Sequence, residues 1–385
     1  MKRKIFLLVF SAILMPAFSA PLHSGVWGFG LDLPVGFVFV DGNGWDTFSF
    51  SDPSGAQFDI RVYYGTYNSI QHLAEDVNIR LQNTGDTEFF EYNGRQAVLI
   101  ELSFGNTSGW ALGVELAETA TGTTPMLLAL AHGAANREDL NLLHMSALDS
   151  IIPSEAERRY PGPIIMFGFP RGEPRLTPLA LPGLSAIIYE NDAEAAQVLV
   201  EREFAILEIH QFAPNWQQAW ARYYRMIFRD SWTRIADAAF QLERYWNVSV
   251  HDLQASLPGA NSVEMANRLF AEQALSFVQG FVYERHITNS DFINLVTAVT
   301  EGRGDCDNRA MLWAIILSQA NIRSAIMVSR NHSHAMGLAD VPGNGARFEA
   351  DGTRWLVAET TANVDIGMIA QEISDVESWL GITFE

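Results

Sequence analysis

The chain has 385 residues, 48% of them apolar and 18% charged, which excludes a disordered protein and supplies apolar side chains for more than one hydrophobic core. Its 45 acidic against 25 basic residues leave a net charge of −20 with no long basic cluster, so nucleic acid and anionic membrane surfaces are poor partners. A lone cysteine, Cys306, excludes an intramolecular disulfide.

Residues 1–20 have the order of a secretion signal: Lys2, Arg3 and Lys4, an apolar run from Ile5 to Met15, then Ala17 and Ser19 as small residues ahead of a cut. A run of about eleven apolar residues falls short of the roughly 20 that span a bilayer, so cleavage after Ser19 or Ala20 is expected. The mature chain is then periplasmic or secreted, with no membrane span.

Residues 21–152 read as a small α+β domain, an antiparallel α/β sandwich. The segments Thr47 to Phe50, Phe58 to Tyr64, Ala97 to Phe104, Trp110 to Leu116 and Met126 to Ala131 are short, β-rich and bounded by turn residues. Between the second and third, Ile70, Leu73, Val77 and Leu81 fall on one face of a helix, and Leu140 to Ile151 repeats that spacing. With its Leu33-Pro34-Val35-Gly36 start and closing helix, this order resembles the small sandwich domains of the PsbP type. Residues 153–183 hold seven prolines and are expected to form a linker without regular helix or central strand. Residues 184–260 turn helical. Trp216, Trp220, Tyr223, Tyr224, Ile227 and Phe228 make an aromatic stripe there, read as core rather than ligand wall.

The last unit, residues 261–385, pairs two helices, Met265 to Phe281 and one starting near Cys306, with short strands at Ser324 to Ser329, His334 to Ala339, Arg347 to Ala350 and Trp355 to Ala358. In Gly302-Arg303-Gly304-Asp305-Cys306-Asp307-Asn308 the glycines make a turn, and the cysteine falls where helical periodicity begins. A helix start favours a thiolate and offers free N–H groups for an oxyanion, so Cys306 is a candidate nucleophile. Asp307 is expected to turn to the helix N-terminus rather than oppose that thiolate. A base and an orienting carboxylate are within reach: His334 opens one strand and Glu359 ends a neighbouring one, with His332 as competitor for the base and Asp340 or Asp351 for the acid. Gln279 is a candidate oxyanion donor.

Phe277-Val278-Gln279-x-x-x-Tyr283, Gly304-x-Cys306-x-x-x-Ala310, His334 at a strand start and Trp355-x-x-x-Glu359-x-Thr361 together resemble the transglutaminase-like superfamily. The likeness covers about a quarter of the chain. It implies a circularly permuted papain-like domain over residues 261–385, a Cys306, His334 and Glu359 triad, and an acyl-thioester intermediate. Where that family most often has Asp-Pro-Thr, this chain has Glu359-Thr360-Thr361. The expected function is peptide or isopeptide hydrolysis, or transglutaminase-type transfer, on a peptide or protein of the cell envelope. The alternative is a non-catalytic scaffold that keeps the fold. No cofactor is expected. His332 and His334 point to opposite faces of an extended strand and so make no metal pair.

Overall fold

The computed structural model describes residues 21–256, 262–285 and 290–384, and the expected signal at residues 1–20 lies outside them. The chain is a mixed α+β structure in which two antiparallel sheets are joined through a set of long helices.

The first sheet has seven strands. In spatial order they are Val38–Gly42, Thr47–Ser51, Gln57–Tyr63, Met126–Ala134, Thr107–Glu115, Arg95–Phe104 and Thr87–Tyr92. Alternation along its central strands serves two cores. Val98, Ile100 and Leu102 face the Ile70–Leu81 helix, while Phe58, Ile60, Leu112 and Val114 face Ala147 and Leu148 of the Asn141–Asp149 helix. Ser69 caps the first of these helices by accepting the His72 N–H. The two outer strands, Val38–Gly42 and Thr87–Tyr92, have no clear sequence signal, because they are largely exposed edge strands without an apolar alternation.

The proline-rich stretch is more ordered than its composition predicts. Pro163 occupies the first turn of the Pro163–Gly168 helix, where its missing N–H costs no bond. Pro174 and Pro178 sit at the two ends of Pro174–Pro178, which pairs with Ser185–Tyr189 in a two-stranded sheet that leaves proline no interior ladder bond to break.

Three helices follow, Asp192–His210, Trp216–Arg234 and Ala236–Ser256. They join the two halves of the molecule. Glu203, fully buried, accepts from Arg202, Arg222 and the Ser146 hydroxyl, while Arg202 also donates to Asp149 at 2.5 Å. Arg229 donates to the carbonyls of Asp149, Ile151 and Tyr160. Residues 21–152 are therefore bonded into the helices through a buried ionic cluster.

The second sheet has the order Arg347–Ala350, Thr353–Ala358, His334–Ala339, Ser324–Ser329 and Leu380–Thr383, antiparallel throughout. The Cys306–Gln319 helix lies on one face. It is apolar and buried all round from Ala310 to Leu317, so it forms the centre of the largest core rather than a surface helix. Gly337 fixes its approach, since a Cβ there would stand 2.4 Å from the Trp313 ring. The opposite face, with Met327, Met336, Leu338 and Trp355, is covered by Trp379 and the segment before it.

Candidate active site

Cys306 is the first residue of its helix, and the chain enters it through Gly304 at φ +152, where a Cβ would stand 2.7 Å from the Asn308 Cβ. Asp305, not Asp307, is the cap. Its carboxylate accepts the Asn308 N–H at 3.0 Å while the Asn308 side chain accepts the Asp305 N–H at 3.1 Å. Asp307 turns elsewhere: Oδ1 accepts the Cys306 thiol hydrogen at 3.4 Å and Oδ2 accepts the Tyr224 hydroxyl at 2.6 Å. The expectation that Asp307 would occupy the helix terminus fails because Asp305 already satisfies it.

On the facing sheet, the register Ser329↔His334 and Gly337↔Ala358 sets His334 at a strand start beside the end of the neighbouring strand. Residues 330–333 close the connection, with Ser333 in the left-handed region at φ 47. The His334 Nε2 is hydrogen-bonded to Glu359 Oε2 at 2.8 Å, although 25 positions separate them. Glu359 is itself held, its Oε1 accepting the Thr361 N–H at 2.7 Å and hydroxyl at 2.6 Å. Burial works against the Glu359 charge, but the His334 and Thr361 bonds outweigh it and hold the carboxyl below its ordinary range. The main-chain N–H of Ala335, next to His334, acts on the Cys306 thiol in the sense that favours its charged form. His334 and Glu359 thus meet at the strand ends, while the Cys306 thiol hydrogen turns to Asp307.

The other residues named from sequence lie apart from this chemistry. Gln279 donates through Nε2 to the Glu359 and Val364 carbonyls, both at 2.9 Å, so its two amide hydrogens hold the chain around Glu359 and leave none for an oxyanion. The His332 ring stacks on Trp379 with centroids 5.6 Å apart, and its Nε2 is buried without a hydrogen-bond partner among the described residues. Asp340 pairs with Arg323, and Asp351 accepts from Thr383.

The electrostatics run against the simple helix-dipole expectation. Burial, then the charges of Asp307 and Asp305, push the Cys306 thiol far above its ordinary range, and the Ala335 N–H offsets only part of this. Burial also raises Asp305 and Asp307, and the Asp307 charge raises Asp305 further. The resting sulfur is a neutral thiol.

Two contributors carry no sequence signal of their own. Tyr224 belongs to the helical middle region, where an aromatic at helical spacing reads as core; it is buried, yet its hydroxyl reaches Asp307. Arg309, almost fully buried, donates to the carbonyls of Gly304, Phe281 and Thr360 and so ties the turn before Cys306 to the segment after Glu359. Among the described residues no cluster of three or more His, Cys, Asp or Glu is arranged to hold a metal ion, and no helix is long and apolar enough to cross a membrane.

No family model and no curated protein matches the chain. Among solved structures it is similar to cyanobacterial PsbP (CyanoP) from Synechocystis at 16% identity, over 35% of this chain and 91% of that one, with a TM-score of 0.27. LpqN of Mycobacterium tuberculosis, involved in cell envelope biogenesis, is similar at 14% identity over 34% and 85% of the two chains, with a TM-score of 0.26. A Bacteroides thetaiotaomicron protein is similar at 9% identity over 57% and 80%, with a TM-score of 0.25.

Proposed function

We propose that the chain is an exported cysteine-dependent acyl-transfer enzyme with a transglutaminase-like domain over residues 261–385, acting on an amide of a peptide or protein substrate. The observation that carries this reading is the His334 Nε2 to Glu359 Oε2 bond at 2.8 Å, formed next to Ala335, whose main-chain N–H favours the charged form of Cys306. With Nε2 held by the carboxylate, Nδ1 is the nitrogen left to take a proton from Cys306. Sγ attacks the amide carbonyl as that proton passes to His334. The imidazolium, steadied by Glu359, then gives the proton to the departing amine and a thioester remains. Water, activated by the same ring, cleaves the thioester and returns the proton to sulfur. The Cys306 N–H, first in its helix and without an intrahelical carbonyl, is placed to receive the oxyanion. Because the resting thiol is neutral, proton transfer accompanies attack instead of preceding it. Export rests on the basic, apolar and small-residue order of residues 1–20.

The experiment is mass spectrometry of the intact protein after incubation with a mixed peptide library and rapid acid quench. A thioester adduct on Cys306, cleared by hydroxylamine and absent from His334→Ala, is the expected result. One observation favours a second reading, a scaffold without turnover: two carboxylates face the thiol and oppose its ionisation. Absence of any adduct, with Cys306 inert to iodoacetamide up to alkaline pH, selects that reading.

A further inference from the structure

A cleft of about 440 Å³ opens between the start of the Trp216–Arg234 helix, the Arg330 connection and the 377–379 segment, with Trp216, Gln217, Arg330, Glu377, Ser378 and Trp379 in its walls. Its wall residues link it to the reaction centre through ring contacts. Trp379 presents its ring edge-on to His334 at 6.1 Å between centroids, and Trp216 leads through Trp220 to Tyr224, the residue bonded to Asp307, by ring contacts of 6.2 and 6.3 Å.

Arg330 is the unusual member. Its half-buried guanidinium lies 4.9 Å from the Phe212 ring centroid and 5.2 Å from that of Trp216, and one N–H meets the Gln211 carbonyl at 3.1 Å. No carboxylate of the described residues meets it, in a chain with 45 acidic residues. The nearby acids are otherwise disposed: Asp375 accepts from the Ser378 hydroxyl at 2.6 Å and the Glu377 N–H at 3.2 Å, and Glu377 is exposed. Ring stacking fixes the guanidinium plane and partly offsets the cost of its burial, while its remaining donors keep the fork geometry that matches a carboxylate.

We propose that this cleft is a subsite of the Cys306 centre that takes a carboxylate carried by a peptide, Arg330 pairing with the anion while Trp216 and Trp379 flank the chain that bears it. The subsite rests on the acyl-transfer reading only for its place beside the reaction; binding requires no turnover.

The test uses the full mature chain with Cys306→Ala and isothermal titration with two pairs of N-acetyl tripeptides. One pair is triglycine as free acid and as carboxamide; the other, amidated, carries Glu or Gln at its centre. A terminal and a side-chain carboxylate are thereby distinguished. One acid form should bind at least about tenfold more tightly than its neutral partner, in keeping with a charge-assisted bond. That preference should disappear in Arg330→Gln, persist in part in Arg330→Lys, and shrink as sodium chloride is raised. Should Arg330→Gln fail to fold by its thermal transition, the Lys variant and the salt series decide. Equal binding of acid and neutral forms, no binding of any of the four, or a preference that survives Arg330→Gln or is indifferent to salt, overturns the subsite. Thioester formation on Cys306 in the parent protein reads the chemistry separately, so the absence of any adduct with an intact acid preference sinks the proposed function and leaves the subsite standing.

Discussion

Asp307 Oδ1 accepts the Cys306 thiol hydrogen at 3.4 Å, so the neighbour of the sulfur is a carboxyl group whose charge opposes a thiolate. The groups around the pair are mixed: Asp305 on the same turn, Tyr224 and Tyr283 as neutral phenols, and His334, Arg285 and Arg309 as the basic side. Asp307→Asn removes a charge that opposes the thiolate while an amide still fills the space. Alkylation of Cys306 at pH 8 should become at least about tenfold faster, and the pH profile of labelling should move toward acid. An unchanged profile would show that the Asp307 charge does not hold the thiol.

For the proposed reaction, His334→Ala should abolish thioester formation with the fold intact, since the ring is a partly exposed polar group. Glu359→Gln has a more specific effect. Glu359 Oε1 must still accept from Thr361, which turns the new NH₂ group toward His334 Nε2. That nitrogen then has to accept, the ring proton moves to Nδ1, and Nδ1 loses its capacity to take the thiol hydrogen. A loss of about 10²- to 10⁴-fold in acylation rate is expected, read by burst kinetics on a trapped thioester. His332→Ala removes a ring that only stacks on Trp379 and should cost less than about fivefold.

The C-terminal half was the more legible part of the sequence, and the reasons are local. Cys306 stands at the boundary between a Gly-x-Gly turn and a continuous apolar helix, which periodicity alone marks, whereas His334 and Glu359 stand at strand ends and are separated from His332, Asp340 and Asp351 by the resemblance to the transglutaminase-like superfamily. The Asp305 cap is a local pattern too, with Asn308 three residues on, but two flanking aspartates compete for it and only geometry chooses. Tyr224 and Glu203 were not legible. Each acts across more than 50 positions, on Asp307 and Ser146 respectively, and a buried tyrosine or glutamate within a helical pattern looks the same whatever its distant partner. The hairpin and helix of residues 163–189 were hidden by their prolines, whose effect depends on whether they fall at an end or an interior position.

The ionic cluster between the halves predicts that residues 185–385 alone will be impaired. Cutting there removes Ser146, Asp149 and Asp32, the partners of Arg202, Arg222 and Arg225. Within the whole chain, Glu203→Ala leaves two buried guanidinium groups without their common acceptor, for an expected loss of roughly 3–5 kcal/mol in urea unfolding. Burial opposes the Glu203 charge, but Arg222 and Arg202 outweigh it and lower its pKa, so its contribution is present above the unfolded carboxyl range and is lost as pH falls through the lower folded value. The variant should therefore show a flatter decline in acid than the parent.

His144 provides a second acid-sensitive point with the opposite starting charge. It is buried in the Asn141–Asp149 helix, neither ring nitrogen has a hydrogen-bond partner among the described residues, and burial, followed by the nearby His132, pushes its pKa down to about 4. In the unfolded chain the ring takes its proton near pH 6.5, whereas in the fold it stays neutral until about pH 4. Between these values the unfolded state binds the extra proton, so stability rises with pH across that window and is fully developed above it. The ceiling on this effect is about 3 kcal/mol, reached below the folded pKa. Asp139 partly opposes the shift from the same segment, and His132 is itself paired with Asp59 at 2.9 Å. His144→Phe keeps the volume and removes the titration. Its urea midpoint should lose less than the parent's between pH 6.5 and 4.5, while the carboxylate-dependent fall below that remains. Parallel curves for the two proteins across that window would show that His144 accepts its proton in the folded state as readily as in the unfolded chain.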